Sequence, residues 1–176
     1  MVQYSKPTRA QELALYSNMK QRCNSKKGYE NCVIGKTWEK DHEKLYTWYR
    51  NNYYTLPDGE PINIDKDILI PNNRIYSEDT CLLVPEKVNL FFVNIHGKKK
   101  SGLPVGVTLD KKSQKYKASI YKNKKSINLG TYGTPQEAHD AWRKAKIEQL
   151  LELIEHYKDI VPSEVTEAMM QWVDFI

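Results

Sequence analysis

Apolar side chains recur at Leu13, Tyr16, Met19 and Cys23, a spacing that predicts a helix over residues 11–23. Residues 29–34 carry little periodicity and read as a loop or a short extended piece. Helical spacing returns over 37–54, where Trp38, Leu45, Trp48 and Tyr49 share one face and Thr37 stands where a cap belongs. The run LPDGEP at 56–61 is turn chemistry and ends that helix. Residues 62–70, INIDKDILI, then form a short extended stretch. Two turns follow, at Pro71-Asn72-Asn73 and Ser77-Glu78-Asp79, and a brief strand at 81–84. Pro85 opens a helix that continues through Asn89 and Phe92. The order is strand, loop, strand, helix.

A hinge at 96–103 separates this half from three further strands at 105–109, 116–121 and 126–132, joined by polar turns at 110–114 and 122–125. Tyr116, Ala118 and Ile120 alternate with Lys115, Lys117, Ser119 and Tyr121, so one face is apolar and the other basic. Thr134-Pro135 with Glu137 supplies a helix start. Behind it Ala138, Ala141, Trp142 and Ala145 make a stripe of mostly small residues that lets a helix lie close to a sheet. That helix is expected to reach Tyr157, with a short last one over 162–172. The fold class is α+β: a helical N-terminal region with a small strand–strand–helix motif, then a three-stranded antiparallel sheet packed on a helix.

Charge sharpens this division. Residues 98–125 hold ten lysines against one acid, Asp110, a net +9 in a chain of +5, which leaves −4 for the rest. A field so concentrated on a strand surface suits a phosphate backbone, and nucleic acid is the expected partner. Lys111, Lys115, Lys117, Lys122, Lys124 and Lys125 are the candidate phosphate contacts. Such contacts add salt-sensitive affinity but carry no sequence information. Base reading would fall to Ser119, Tyr121, Gln114 or Asn128, because the sheet has no arginine, the usual partner of guanine. Specificity is then modest, or the protein reads DNA shape.

At 176 residues the chain suits one ordinary domain or two small ones. No apolar run approaches the roughly 20 residues that span a bilayer. The charged N-terminus lacks a signal-peptide core, so a cytoplasmic protein is expected. Cys23, Cys32 and Cys81 form no CxxC pair and read as buried thiols rather than a disulfide framework or zinc site. His42 and His96 read as surface or packing residues.

The C-terminal pattern resembles the plant ethylene-response-factor (APETALA-type) DNA-binding domain. The matching pieces are Gly106-Val107, Tyr116-Lys117-Ala118, Leu129-Gly130-Thr131-Tyr132, Glu137-Ala138 and Ala141-Trp142. The resemblance implies that the sheet lies in the major groove of duplex DNA while the helix braces its back. The middle segment, IDKDILIPNNRIYSEDTCLLVPEKVN, is similar to the degenerate H-N-H motif of phage and intron-type homing endonucleases. The pieces are Asp65, Asn72 or Asn73, Tyr76-Ser77, Cys81, Val84 and Asn89. Met19, Arg22-Cys23 and Trp38 to Trp48 fit the phage group that joins the two parts, and the likeness covers about residues 13–176.

The likeness implies a nuclease-like region at 1–95, with its ββα-type motif at about 62–92, then the hinge and a DNA-binding domain at 104–176. It also implies cleavage of duplex DNA in the cytoplasm of a phage-infected bacterium. One magnesium or manganese ion would be held by Asp65 and Asn89, completing a catalytic set of Asp65, Asp67, Asn73 and Asn89. On an extended strand Asp67 shares a face with Asp65, as a second ligand or an orienter of metal-bound water, and Lys66 points away to phosphate or solvent. Simpler readings are a solvated strand edge for the two aspartates, turn formation for Asn72 and Asn73, and a helix-surface amide for Asn89. The pattern departs at Lys66, where active relatives carry the histidine that serves as general base. The alternative function is therefore a catalytically inactive DNA-binding protein or regulator.

Overall fold

The computed structural model describes residues 1–25, 28–93, 95, 102–122 and 125–176. In chain order the elements are β1 (Gln3–Tyr4), α1 (Arg9–Ser25), β2 (Val33–Ile34), α2 (Lys36–Lys40), α3 (His42–Asn52), β3 (Tyr54–Thr55), β4 (Ile62–Asp65), β5 (Ile75–Tyr76), β6 (Leu82–Pro85) and α4 (Glu86–Val93). They continue with β7 (Val107–Asp110), β8 (Lys115–Lys122), β9 (Lys125–Tyr132), α5 (Pro135–Tyr157) and α6 (Ser163–Gln171). The protein is mixed α and β, with three two-stranded sheets and one three-stranded antiparallel sheet among the described residues. No helix among them is long and apolar enough to cross a membrane. The chain forms two compact units: Met1–Asn89 with Tyr157–Ala168, and Leu90–His156 with Met169–Ile176. Residues 157–168 thus join the first unit rather than continuing the linear 104–176 domain.

In the first unit α1 buries a different stripe from the one its apolar residues suggest. Leu13 is 50% exposed, whereas Glu12 is buried beside Met19's face. The cause is an ion-pair knot. Glu12 accepts hydrogen bonds from Arg9 at 2.8 Å and from Arg50 Nε and Nη2 at 2.5 and 3.0 Å. Paired in this way, a carboxylate can replace an apolar residue on the inward face.

The helix expected over 37–54 is two helices. Asp41 adopts an extended conformation (φ −139°, ψ 93°), and its side chain accepts from the Glu43 N–H. Asp41 rather than Thr37 is therefore the side-chain cap, while Gly35 precedes α2 without a side-chain bond. Trp38, Leu45, Tyr46 and Tyr49 are buried, with Trp48 at 5.0 Å from Trp38 between ring centroids.

The middle segment has the expected order. β4 and β6 pair antiparallel, from Ile62 opposite Pro85 to Asp65 opposite Leu82, and α4 follows β6 directly. Its start is tied down by Glu86 N–H donating to Pro61 O at 2.9 Å and Lys87 N–H to Glu60 Oε1 at 2.8 Å. The weakly periodic 29–34 segment contains β2, which pairs in parallel with β5.

The second unit is a sheet in the order β7-β8-β9 with α5 against it. Val107, Ala118 and Ala138 form its buried centre, with Tyr116, Leu129, Tyr132 and Ala141 around them. Ala118 faces Gly130 but Ser119 faces Asn128, so Leu129 is an extra residue in β9. This bulge turns Leu129 toward the core. Gly106 is required where it stands: its φ is +81°, and a Cβ there would lie 2.1 Å from the Trp142 ring. α5 begins where Thr134-Pro135 and Glu137 predict, and the start is a capping box. Glu137 N–H donates to Thr134 Oγ1 at 3.2 Å, and Thr134 N–H donates back to Glu137 Oε2 at 3.0 Å.

Candidate functional site

Two regions hold the candidate residues, the loop after β4 in the first unit and the outer sheet face in the second. Strand β4 stops at Asp65 because Asp65 turns its own chain. Its Oδ1 accepts the N–H groups of Asp67 and Ile68, both at 2.8 Å. Asp65 is 8% exposed, and burial pushes its carboxyl above the ordinary carboxylate range, against the opposing pull of those two N–H groups.

The end of the strand changes the next two residues. Asp67 does not share a strand face with Asp65, and Lys66 does not point to solvent. Lys66 is buried, with its Nζ donating to Asp67 Oδ2 at 2.6 Å and to Asn73 O at 2.9 Å. The Tyr29 and Tyr76 ring centroids lie 5.5 and 5.8 Å from the same nitrogen. Asn73 closes the loop: its Nδ2 donates to Lys66 O and Ile75 O, each at 2.7 Å, and its Oδ1 accepts from Ile75 N–H at 3.1 Å. Asn72 occupies the left-handed turn position, φ 62°.

Asp67 and Asn73 are thus brought together by the Lys66 ammonium, and Asp65 joins them through the Asp67 N–H. Asn89 is not joined to them. It sits half-buried on α4, and α4 begins opposite Ile62, at the other end of β4 from Asp65. The Asn89 side chain makes no hydrogen bond to another described residue, and among the described residues no group of three or more acids, histidines or cysteines is disposed to hold a metal. These donors do not fit a magnesium ion as arranged. Asp65 Oδ1 is committed to two N–H groups, Asp67 already faces an ammonium, and no hydrogen bond among the described residues links Asn89 to either. Cys81 is buried, and burial pushes its thiol up to about 12.

On the sheet, directly paired residues share a face, so the register sorts the side chains. The side away from α5 carries Thr108, Lys117 and Thr131 in one row, Ser119 and Asn128 in the next, then Tyr121 with Ser126. Asp110 pairs with Lys115 at the opposite end. Tyr121 is 65% exposed. Lys111, Lys112, Lys115 and Lys125 are exposed and make no ion pair among the described residues, whereas Lys117 holds Asp110 at 2.9 Å. Gln114, at φ 55°, donates one amide N–H to Lys111 O at 2.8 Å.

Lys122 departs from expectation. It has the parity of Ile120, faces the helix side and pairs with Glu152 of α5. Lys125 lies opposite Lys122 and shares that side. Lys124 and His96 fall outside the described residues. Lys112 was missed as a candidate, although the lysine run itself contains it. Thr108, Ser126 and Thr131 emerge only once the pairing register is known.

Comparison with family models, with characterised proteins and with solved structures found no match to this chain.

Proposed function

We propose that the protein binds duplex DNA through the outer face of the β7–β8–β9 sheet and its first turn, without cleaving it. The observation that carries this is the asymmetry of the sheet. One face packs on α5, while the other and the first turn present Lys111, Lys112 and Lys115 without acidic partners among the described residues. Each lysine that meets a phosphate releases condensed counterions, so affinity falls steeply with salt. Lys117 must give up Asp110 to contribute, and so adds less than its neighbours. Ser119, Asn128 and Tyr121 stand in the middle of the same face and can touch base edges. None forms the bidentate fork that arginine offers guanine. Docking therefore exceeds recognition.

A second reading, a metal-dependent endonuclease, draws on the β4–β6 hairpin running straight into α4 with Asp65 and Asn89 on it. The commitments of Asp65 and Asp67 weigh against it. One experiment separates the two. Long duplex DNA is incubated with the protein in magnesium, in manganese and in chelator. Retarded, intact DNA in all three supports docking. Discrete metal-dependent products, lost in Asp65→Ala and in Asn89→Ala, support hydrolysis instead.

A further inference from the structure

Lys66 is a charged side chain only 5% exposed, inside a loop where the endonuclease resemblance implies a metal ion. We propose that its ammonium is the resident cation of that loop, and that the enclosure around it is a site for a primary ammonium group rather than for a divalent metal.

The enclosure is built for that ligand. A primary ammonium has three N–H donors and no acceptor. Here two donors are taken by a carboxylate, Asp67 Oδ2 at 2.6 Å, and a carbonyl, Asn73 O at 2.9 Å. The Tyr29 and Tyr76 rings stand at cation–π range of the same nitrogen. Magnesium wants near-octahedral oxygen at about 2.0–2.1 Å and keeps its waters. Aromatic faces supply neither. A second cation beside the ammonium would also be repelled by it, and most strongly where water is excluded.

Lys66 also ties the loop at both ends. Its Nζ holds Asn73 O while its own carbonyl accepts from Asn73 Nδ2 at 2.7 Å, so residues 66 and 73 are locked by a reciprocal pair. A bound metal would do the same work by ligation. Here the cation is covalently part of the chain, and the loop keeps its shape in chelator.

The test uses the full chain and reads thermal unfolding, with no DNA present, so its outcome is independent of the docking reading. For wild-type protein the midpoint is expected to be the same in magnesium, manganese and chelator. Lys66→Ala deletes the equivalent of propylammonium. It is expected to lower the midpoint by roughly 5 °C or more, and added propylammonium should recover part of that loss saturably. Tetramethylammonium at equal concentration should not, because it has no N–H to donate. Lys66→Met keeps the stem but not the charge. It should also lose stability, yet gain nothing from propylammonium because the space stays filled. Saturable stabilisation of the wild type by manganese, abolished in Asp65→Asn, would overturn the proposal. So would a Lys66→Ala midpoint equal to the wild type. Should Lys66→Ala fail to fold, Lys66→Met and the wild-type metal titration decide the matter.

Discussion

Lys66 and Lys115 are the same residue type used in opposite ways. Lys66 is enclosed, with its nitrogen shared between Asp67, a carbonyl and two aromatic rings. Lys115 is exposed on a strand and has no ion-pair partner among the described residues. The first stabilises a loop and has no charge left to offer a partner. The second contributes nothing visible to the fold and keeps its whole field for one. Net charge therefore says less than the assignment of each charge. The first unit uses Arg50 and Lys66 inwardly, on Glu12 and Asp67, while Lys6, Lys20, Lys36, Lys40 and Lys44 are scattered over its surface without ion pairs among the described residues. In the second, Lys111, Lys112 and Lys115 are gathered at one turn and strand end, and that clustering is what the proposed docking surface rests on.

The comparison breaks most severely if the sheet is lost while its lysines stay. Gly106→Ala forces a Cβ onto Trp142 at a left-handed backbone position. A loss of about 3 kcal/mol or more is expected, read by chemical denaturation. DNA affinity should fall with it, although no charge has changed.

A smaller effect separates a capping carboxylate from a metal ligand. Asp65→Ala leaves the N–H groups of Asp67 and Ile68 without their acceptor, for a loss of about 2 kcal/mol in denaturant unfolding. Asp65→Asn retains a carbonyl oxygen in the same place and should cost less than half of that. A metal ligand would not be so forgiving, because the neutral amide is the weaker donor to a divalent ion.

Acid should act on the first region through Glu12. Hydrogen bonds from Arg50 and then Arg9 hold its carboxyl down to about 2, from an ordinary value of 4.5. A depressed folded-state value stabilises at pH above 4.5, and that contribution disappears as pH falls from 4.5 toward 2. Acid unfolding followed by tryptophan fluorescence should therefore show a limb in that window which Glu12→Gln flattens. The smallest effect belongs to Lys122. It is already paired with Glu152, so Lys122→Gln should alter DNA affinity by less than about twofold, within the range of exposed ion pairs.

What was legible in the sequence was local. The alternation at 115–121 and the Thr134, Pro135 and Glu137 cluster each act over a few residues, and strands β7 to β9 and helix α5 follow them closely. Register was not legible. The extra residue Leu129 depends on how β9 meets β8, and the side taken by Lys122 depends on where the strand ends. The stripe of α1 was misplaced for a related reason: Glu12 is buried by Arg50, 38 positions away, and no periodicity within the helix reports that. At Lys66 the error was one of two competing local rules. Alternation continues a strand through Asp67, but an aspartate that captures the next N–H groups ends it, and the second rule won. The catalytic set was assigned by resemblance. Three of its members do meet: Asp67 and Asn73 at the Lys66 ammonium, and Asp65 through the Asp67 backbone N–H.

The central claim concerns where free positive charge resides, and salt dependence measures that directly. Duplex affinity is followed by fluorescence anisotropy from low to high salt, in chelator, for wild type and for a variant with Lys111, Lys112 and Lys115 all changed to Gln. The expected wild-type plot of log affinity against log salt is steep. The variant should lose up to about 2.7 units of slope, about 0.9 for each phosphate contact removed, and bind at least roughly a hundredfold more weakly at moderate salt. Equal slopes for the two proteins, or binding that requires a divalent metal, would contradict the assignment of that charge to the sheet.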